Sequence, residues 1–138
     1  MRVGVVGTTG YTAAELIRWL ILHPEVELAQ VVSSSKPGVA LSELHPGLLG
    51  LTDLVTTPFE PSSLAELDAV LLGVPHGAAK GLVTELDAAG AKRILDLSSD
   101  HRHAEGWTYG MAEWGTSKLQ SAKRVAVPGC FATAISMA

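Results

Sequence analysis

One cysteine occurs in the chain, Cys130, within the stretch "VAVPGCFATAISMA". A thiolate attacks carbonyl carbon far better than a thiol, so a nucleophilic cysteine needs surroundings that favour the anion. Cys130 follows the short β-branched run Arg124 to Pro128 and a glycine, and the residues behind it are small, apolar and compatible with a helix. That order places the sulfur at a helix N-terminus, where unpaired N–H groups and the helix dipole stabilise negative charge. Free cysteines are also among the most frequently buried residues and are then inert. On these residues alone, nucleophile and core filler both stay open.

A second group of residues lies at the other end of the chain. In "VGVVGTTGYTAAEL", Gly7, Gly10 and Ala13 recur at a three-residue spacing between an apolar run and a helical pattern. Small residues there let backbone amides approach a pyrophosphate, and the third lets the helix pack closely on the strand. The candidate loop is Gly7, Thr8, Thr9, Gly10, Tyr11 and Thr12. Dinucleotide preference follows from the end of the next strand, where an acidic side chain would bind a ribose 2′-hydroxyl and repel a 2′-phosphate. That position reads "VVSSSK", with Ser33, Ser35 and Lys36 and no carboxylate, which favours NADP(H) over NAD.

These residues need a scaffold, and the pattern supplies one. Arg2 to Val6 reads as a buried strand, and Ala13, Leu16, Ile17, Leu20 and Ile21 recur at helical spacing until His23-Pro24. Val26 to Ser33 forms a second strand, followed by a Gly/Pro/Ser-rich loop. A weaker strand is expected at Asp53 to Thr57, and a short helix capped by Ser62 or Ser63. Ala69 to Pro75 is a further strand, and the helix from about 78 to 89 ends at Gly90. "RILDLSS" and "RVAVP" complete the strands; the segment from 101 to 122 has no clear period and is expected to be irregular. Buried strands alternating with helices imply crossovers, hence an α/β, doubly wound, mostly parallel sheet of Rossmann type.

Composition bounds the function. The 138 residues suit one domain of ordinary size, and hydrophobic residues make up 47% against 17% charged. Net charge is −4 with no basic run, which argues against a nucleic-acid partner. The N-terminal apolar run is too short for a membrane span or a signal-peptide core, and a lone cysteine suits a reducing compartment, so a cytoplasmic location is expected. His23 and His45 stand beside prolines and are expected at the surface, His76 fits either a cleft or a structural role, and no metal site is expected.

Seven segments in order, "GTTGYTAAEL", "HPEVEL", "HPGLLG", "VPHGAA", "LDLSSDHR", "YGMAE" and "PGCFATA", make the chain resemble the N-terminal portion of the N-acetyl-γ-glutamyl-phosphate reductases of arginine biosynthesis. The resemblance implies that Cys130 displaces phosphate from an acyl phosphate to give a thioester, which NADPH reduces to the semialdehyde. It also implies that Pro75, His76 and Gly77 line the cofactor side of the cleft. Ser98, Asp100 and Arg102, with Tyr109, Gly110 and Glu113, would lie on or near the substrate side, Arg102 being suited to an anionic group. Family members continue into a second domain that carries the acid/base histidine and the dimer interface. The chain is therefore expected to be a dinucleotide-binding domain over 1–138, inactive alone, and part of a homo-oligomer when whole.

Several residues depart from the family pattern: Ala13 stands for Gly, His101 for Phe, Met111-Ala112 for Leu-Pro, and Phe131-Ala132 for Tyr-Pro. The "Cys-x-Ala-Thr" form also resembles the aminoadipyl-phosphate reductase of lysine biosynthesis. An aspartate-semialdehyde dehydrogenase and a non-catalytic NADP-binding module are the remaining alternatives.

Overall fold

The computed structural model describes residues Met1 to Ala138. Its six strands are β1 (Arg2–Val6), β2 (Glu27–Val32), β3 (Ala69–Leu72), β4 (Ile94–Asp96), β5 (Thr108–Tyr109) and β6 (Arg124–Ala126). They form one sheet in the order β2-β1-β3-β4-β6-β5, and every pairing is parallel. The helices are α1 (Tyr11–Ile21), α2 (Leu41–Leu44), α3 (Pro61–Ala65), α4 (Ala79–Ala88), α5 (Thr116–Ser121) and α6 (Cys130–Met137).

Alternate residues of the strands enter two separate cores. Val3, Val5, Val31, Ala69 and Leu71 face α1 and α2, meeting Ala13, Ile17 and Leu41. Val6, Val32, Val70, Leu72 and Ile94 face α3 and α4, meeting Leu64, Val83 and Leu86. This is why the strands read as continuous apolar runs: both faces are covered. Ile17 and Leu86 are wholly buried, each stabilising the fold by about 1.5–3 kcal/mol relative to exposure. Gly90, at φ +85, follows the end of α4 as the sequence indicates.

Four expectations change. Asp53 to Thr57 is not a strand; Val55 and Thr57 each make one isolated bridge, to Ala40 and Val32, because the segment only skirts the edge beyond β2. Helix α3 has no serine cap, since Glu60 occupies the cap and Pro61 the first turn. The "RILDLSS" strand is only Ile94–Asp96, because Asp96 turns the following backbone back onto its own carboxylate. The segment 101–122 is not wholly irregular: it holds β5, a 3₁₀ turn at Ala112–Trp114 and α5. A two-residue edge strand and a helix with no buried residue leave no periodic apolar signal.

Candidate active site

The sheet places the ends of β1 and β3 side by side where the strand order reverses, since β2 lies to one side of β1 and β3 to the other. Such reversals open a crevice beyond the carboxyl ends of the strands. Gly7 leaves β1 with φ +90, and a Cβ on it would lie 2.7 Å from the Gly73 carbonyl oxygen and 2.8 Å from Val74 Cγ1. Only glycine fits there. The amides of Gly7 and Thr8 both donate to the Val32 carbonyl, at 2.9 and 3.3 Å, which ties the loop to the end of β2.

Beyond Thr8 the loop is differently built. The amides of Thr9 and Gly10 find no acceptor in the protein, and α1 begins at Gly10 without a side-chain cap. A Cβ at Gly10 would meet nothing within 4 Å, and its φ of −92° suits any residue. The fold makes no demand for glycine at this position; a ligand approaching the bare backbone would. The crevice, about 420 Å³, is walled by Gly7, Thr9, Gly10 and Thr12 on one side and by Gly73 to His76 with Leu97 on the other.

Other loop residues serve differently. Thr8 is fully buried and its hydroxyl donates to the Val32 carbonyl, while Tyr11 is 94% exposed and lies outside the crevice walls. At the end of β2, buried Ser33 accepts the Lys36 amide at 3.1 Å and stands 3.5 Å from the Ser35 hydroxyl. Ser33 thus shapes the turn, and Ser34, Ser35 and Lys36 are exposed on it.

The opposite wall is organised by Asp100. Its carboxylate accepts the Gly77 amide at 2.7 Å and the Ala79 amide at 3.0 Å, so it fixes the "VPHG" turn and covers the start of α4. The Gly77 amide, opposed by desolvation and reinforced by the Ala79 amide, holds the Asp100 carboxyl below its ordinary value of 3.8. His76 accepts the Ser99 amide on Nδ1 at 3.0 Å. A backbone amide can only donate, so the ring proton sits on Nε2.

Arg102 spans the next gap, donating from Nε to the Val127 carbonyl at 3.1 Å and from Nη2 to that of Leu97 at 3.4 Å. Its guanidinium lies so close to Gly129 that a Cβ there would come within 2.8 Å of Nη1. Cys130 is exposed and is the first residue of α6, whose cap, Gly129, makes no side-chain bond. Thr12, His76, Leu97, Arg102 and Val127 to Cys130 enclose a second hollow of about 360 Å³. Thr12, His76 and Leu97 wall both spaces, so thiol and crevice are contiguous.

Two residues expected on the substrate side lie elsewhere. Ser98 is buried, donating to Asp96 Oδ2 at 2.9 Å and accepting the Asp100 amide at 3.1 Å. Glu113 is exposed in the 3₁₀ turn and borders neither space. Tyr109 pairs with Ala126 as part of β5 and stacks obliquely near Trp114, and Gly110 donates to the Ala126 carbonyl at 2.8 Å.

Other residues escaped the sequence reading. His45, expected at the surface, is half-buried, and its Nε2 lies 2.6 Å from the Thr8 carbonyl. Asp96 is completely buried and accepts from Ser98 N at 2.8 Å and from His101 Nδ1 at 2.7 Å. His101 also stacks on Trp107 with centroids 4.0 Å apart, so its flat ring does the packing of a phenylalanine and adds a partner for the buried charge. An aspartate inside the apolar run "RILDL" is the signal for such a partner, because a buried carboxylate must be paired. Gly73, interrupting "AVLLGVP", likewise marks close backbone approach. No group of three His, Cys, Asp or Glu side chains is placed to hold a metal ion.

A crevice at the reversal of strand order, entered by an uncapped helix behind a glycine turn, makes this a dinucleotide-binding domain. The family model described as "Semialdehyde dehydrogenase, NAD binding domain" matches residues 2–122, and the chain belongs to that family. It is 40% identical to an N-acetyl-gamma-glutamyl-phosphate reductase of Salinispora arenicola, covering 100% of this chain and 45% of that relative. The reductase of Azotobacter vinelandii is 38% identical over 99% of this chain and 45% of its own. The chain thus spans about half the length of the curated relatives it matches. Among solved structures, an aspartate semialdehyde dehydrogenase from Candida albicans aligns with a TM-score of 0.70 at 18% identity, covering 91% of this chain and 41% of that one. One from Vibrio cholerae gives 0.74 at 14%, covering 97% and 43%. At such identities these two structures support the fold.

Proposed function

We propose that the chain is the cofactor-binding part of an NADPH-dependent reductase that converts N-acetyl-γ-glutamyl phosphate to its semialdehyde in arginine biosynthesis. The observation that carries this is the shared wall of Thr12, His76 and Leu97 between the dinucleotide crevice and the hollow of Cys130. A nucleophile and a hydride donor must meet at one carbon, and this arrangement provides for it. The names of the curated relatives supply the substrate class.

The residues suit the dinucleotide. The unengaged amides of Thr9 and Gly10 and the uncapped start of α1 are donors for a pyrophosphate, and Gly10 leaves room for it. Ser35 and Lys36 would hold the 2′-phosphate. When bound, NADPH supplies the hydride.

The chain's own residues prepare the acyl transfer. Cys130 heads α6 with its sulfur exposed, and attack of its thiolate on the acyl carbonyl expels phosphate to leave a thioester. Arg102, held by two carbonyls beside Gly129, presents fixed positive charge to the anionic substrate. His76 offers its Nε2 proton in the hollow shared by both sites. Proton transfer to the departing product is assigned to a histidine of a second domain, and the whole enzyme works as a homo-oligomer in the cytoplasm. The 138 residues alone therefore bind NADP without turnover. Calorimetry with NADP⁺ and NAD⁺, joined to mass-spectrometric trapping of an acyl group on Cys130, tests this; a chain that binds neither nucleotide contradicts it.

A further inference from the structure

We propose that His45 is a positioning residue for pyrophosphate recognition: its Nε2–H, held at 2.6 Å from the Thr8 carbonyl, aims the Thr9 amide into the crevice. The inference rests on the dinucleotide reading of that crevice.

The "HPGLLG" segment is built to hold this one ring. Pro46 keeps the residue before it out of the helical region, so α2 stops and His45 turns to φ −135° and ψ 89°. Both backbone groups of His45 are engaged, its amide with the Leu41 carbonyl at 2.8 Å and its carbonyl with the Leu48 amide at 2.9 Å. Leu41 and Leu48 on either side are buried, at 0% and 3% exposure, in the core that contains Ala13 and Ile17 of α1. The ring is therefore fixed relative to the helix whose N-terminus faces the crevice.

Its target is the peptide unit that matters most there. In a trans peptide the C=O of one residue and the N–H of the next point in opposite directions. A carbonyl acceptor requires a proton on Nε2, so His45 donates and the Thr8 carbonyl is pinned. The Thr9 amide on the far side of the same plane has no acceptor in the protein, and Thr9 lines the crevice. With Gly7 and Thr8 already tied to Val32, the Thr8–Thr9 peptide is the first unit of the loop without a bond to the sheet. His45 supplies the missing restraint, and preorganised donors bind anions without the cost of ordering.

The test compares His45→Asn, too short to reach the carbonyl, with His45→Gln, which can place an amide donor near the Nε2 position, in the 138-residue chain. Calorimetry is run with NADP⁺ and with adenosine 2′-monophosphate, which lacks the pyrophosphate. His45→Asn should weaken NADP⁺ by about tenfold, the worth of one hydrogen bond, and change the monophosphate less than about twofold. His45→Gln should recover most of the loss. In the nucleotide-free chain the Thr9 amide resonance should move in His45→Asn while the Val31 and Val32 amides do not. Equal losses for both nucleotides, unaltered NADP⁺ binding, or an unmoved Thr9 resonance would each overturn the role of His45. Failure of the unsubstituted chain to bind NADP⁺ would instead overturn the cofactor reading, while the Thr9 resonance still decides whether His45 sets that peptide.

Discussion

Gly7 and Gly10 sit in one loop yet should respond to alanine in opposite ways. At Gly7 the φ of +90° costs an alanine about 1–2 kcal/mol, and the overlap with Gly73 backbone adds roughly 1–3 kcal/mol. The sum is about 2–5 kcal/mol, a fall in Tm of roughly 10–20 °C for a domain of this size. At Gly10 a methyl group meets nothing, and the backbone is already in a region open to alanine. Restricting the unfolded chain stabilises by about 0.4–1 kcal/mol, and a poorer helix cap takes back a similar amount. Gly10→Ala should therefore melt within about 1 kcal/mol of the unsubstituted chain while binding NADP⁺ roughly tenfold or more weakly, because the methyl occupies the space a pyrophosphate needs. Thermal melts and calorimetry on the two variants check both halves. Gly10→Ala melting as early as Gly7→Ala, or binding NADP⁺ unimpaired, would refute the division of the loop into a structural and a ligand-facing glycine.

Lys36→Met should reduce the preference for NADP⁺ over NAD⁺ by about tenfold, the value of one charge-assisted contact, with NAD⁺ affinity unchanged by calorimetry. Arg102→Gln should lower the ratio of Cys130 alkylation rates by iodoacetate and iodoacetamide roughly two- to tenfold, since only the anionic reagent feels the guanidinium beside Gly129. Asp100→Ala should cost about 1 kcal/mol at neutral pH by freeing the amides of Gly77 and Ala79. Because those amides depress its folded value, the Asp100 contribution is complete above the ordinary value of 3.8 and disappears as pH falls through the lower folded value. Acid denaturation of Asp100→Ala should accordingly be less steep in that window.

The parts of the fold legible in the sequence are those with dense local signal. β1 and β3 are apolar runs buried on both faces, β2 ends in the buried pair Val31-Val32, and α1 and α4 carry helical apolar spacing. β5 was not legible because two residues held only by pairing to β6 have no pattern of their own. The site divides in the same way. The walls at Gly7, Gly10, Thr12 and His76 follow from a glycine turn and a strand end. The groups that hold those walls act across long sequence separations: His45 on Thr8, Asp100 on Gly77, Ser99 on His76. Spacing shows where a polar residue stands in the chain, and only the packing shows what it reaches.

In the proposed function Cys130 and the dinucleotide crevice form one site. The direct measurement is the rate at which a maleimide bearing a bulky fluorophore labels Cys130 as NADP⁺ is added. Labelling should slow saturably, with a midpoint equal to the calorimetric Kd, because Thr12, His76 and Leu97 wall both spaces. A labelling rate indifferent to saturating NADP⁺ would contradict it.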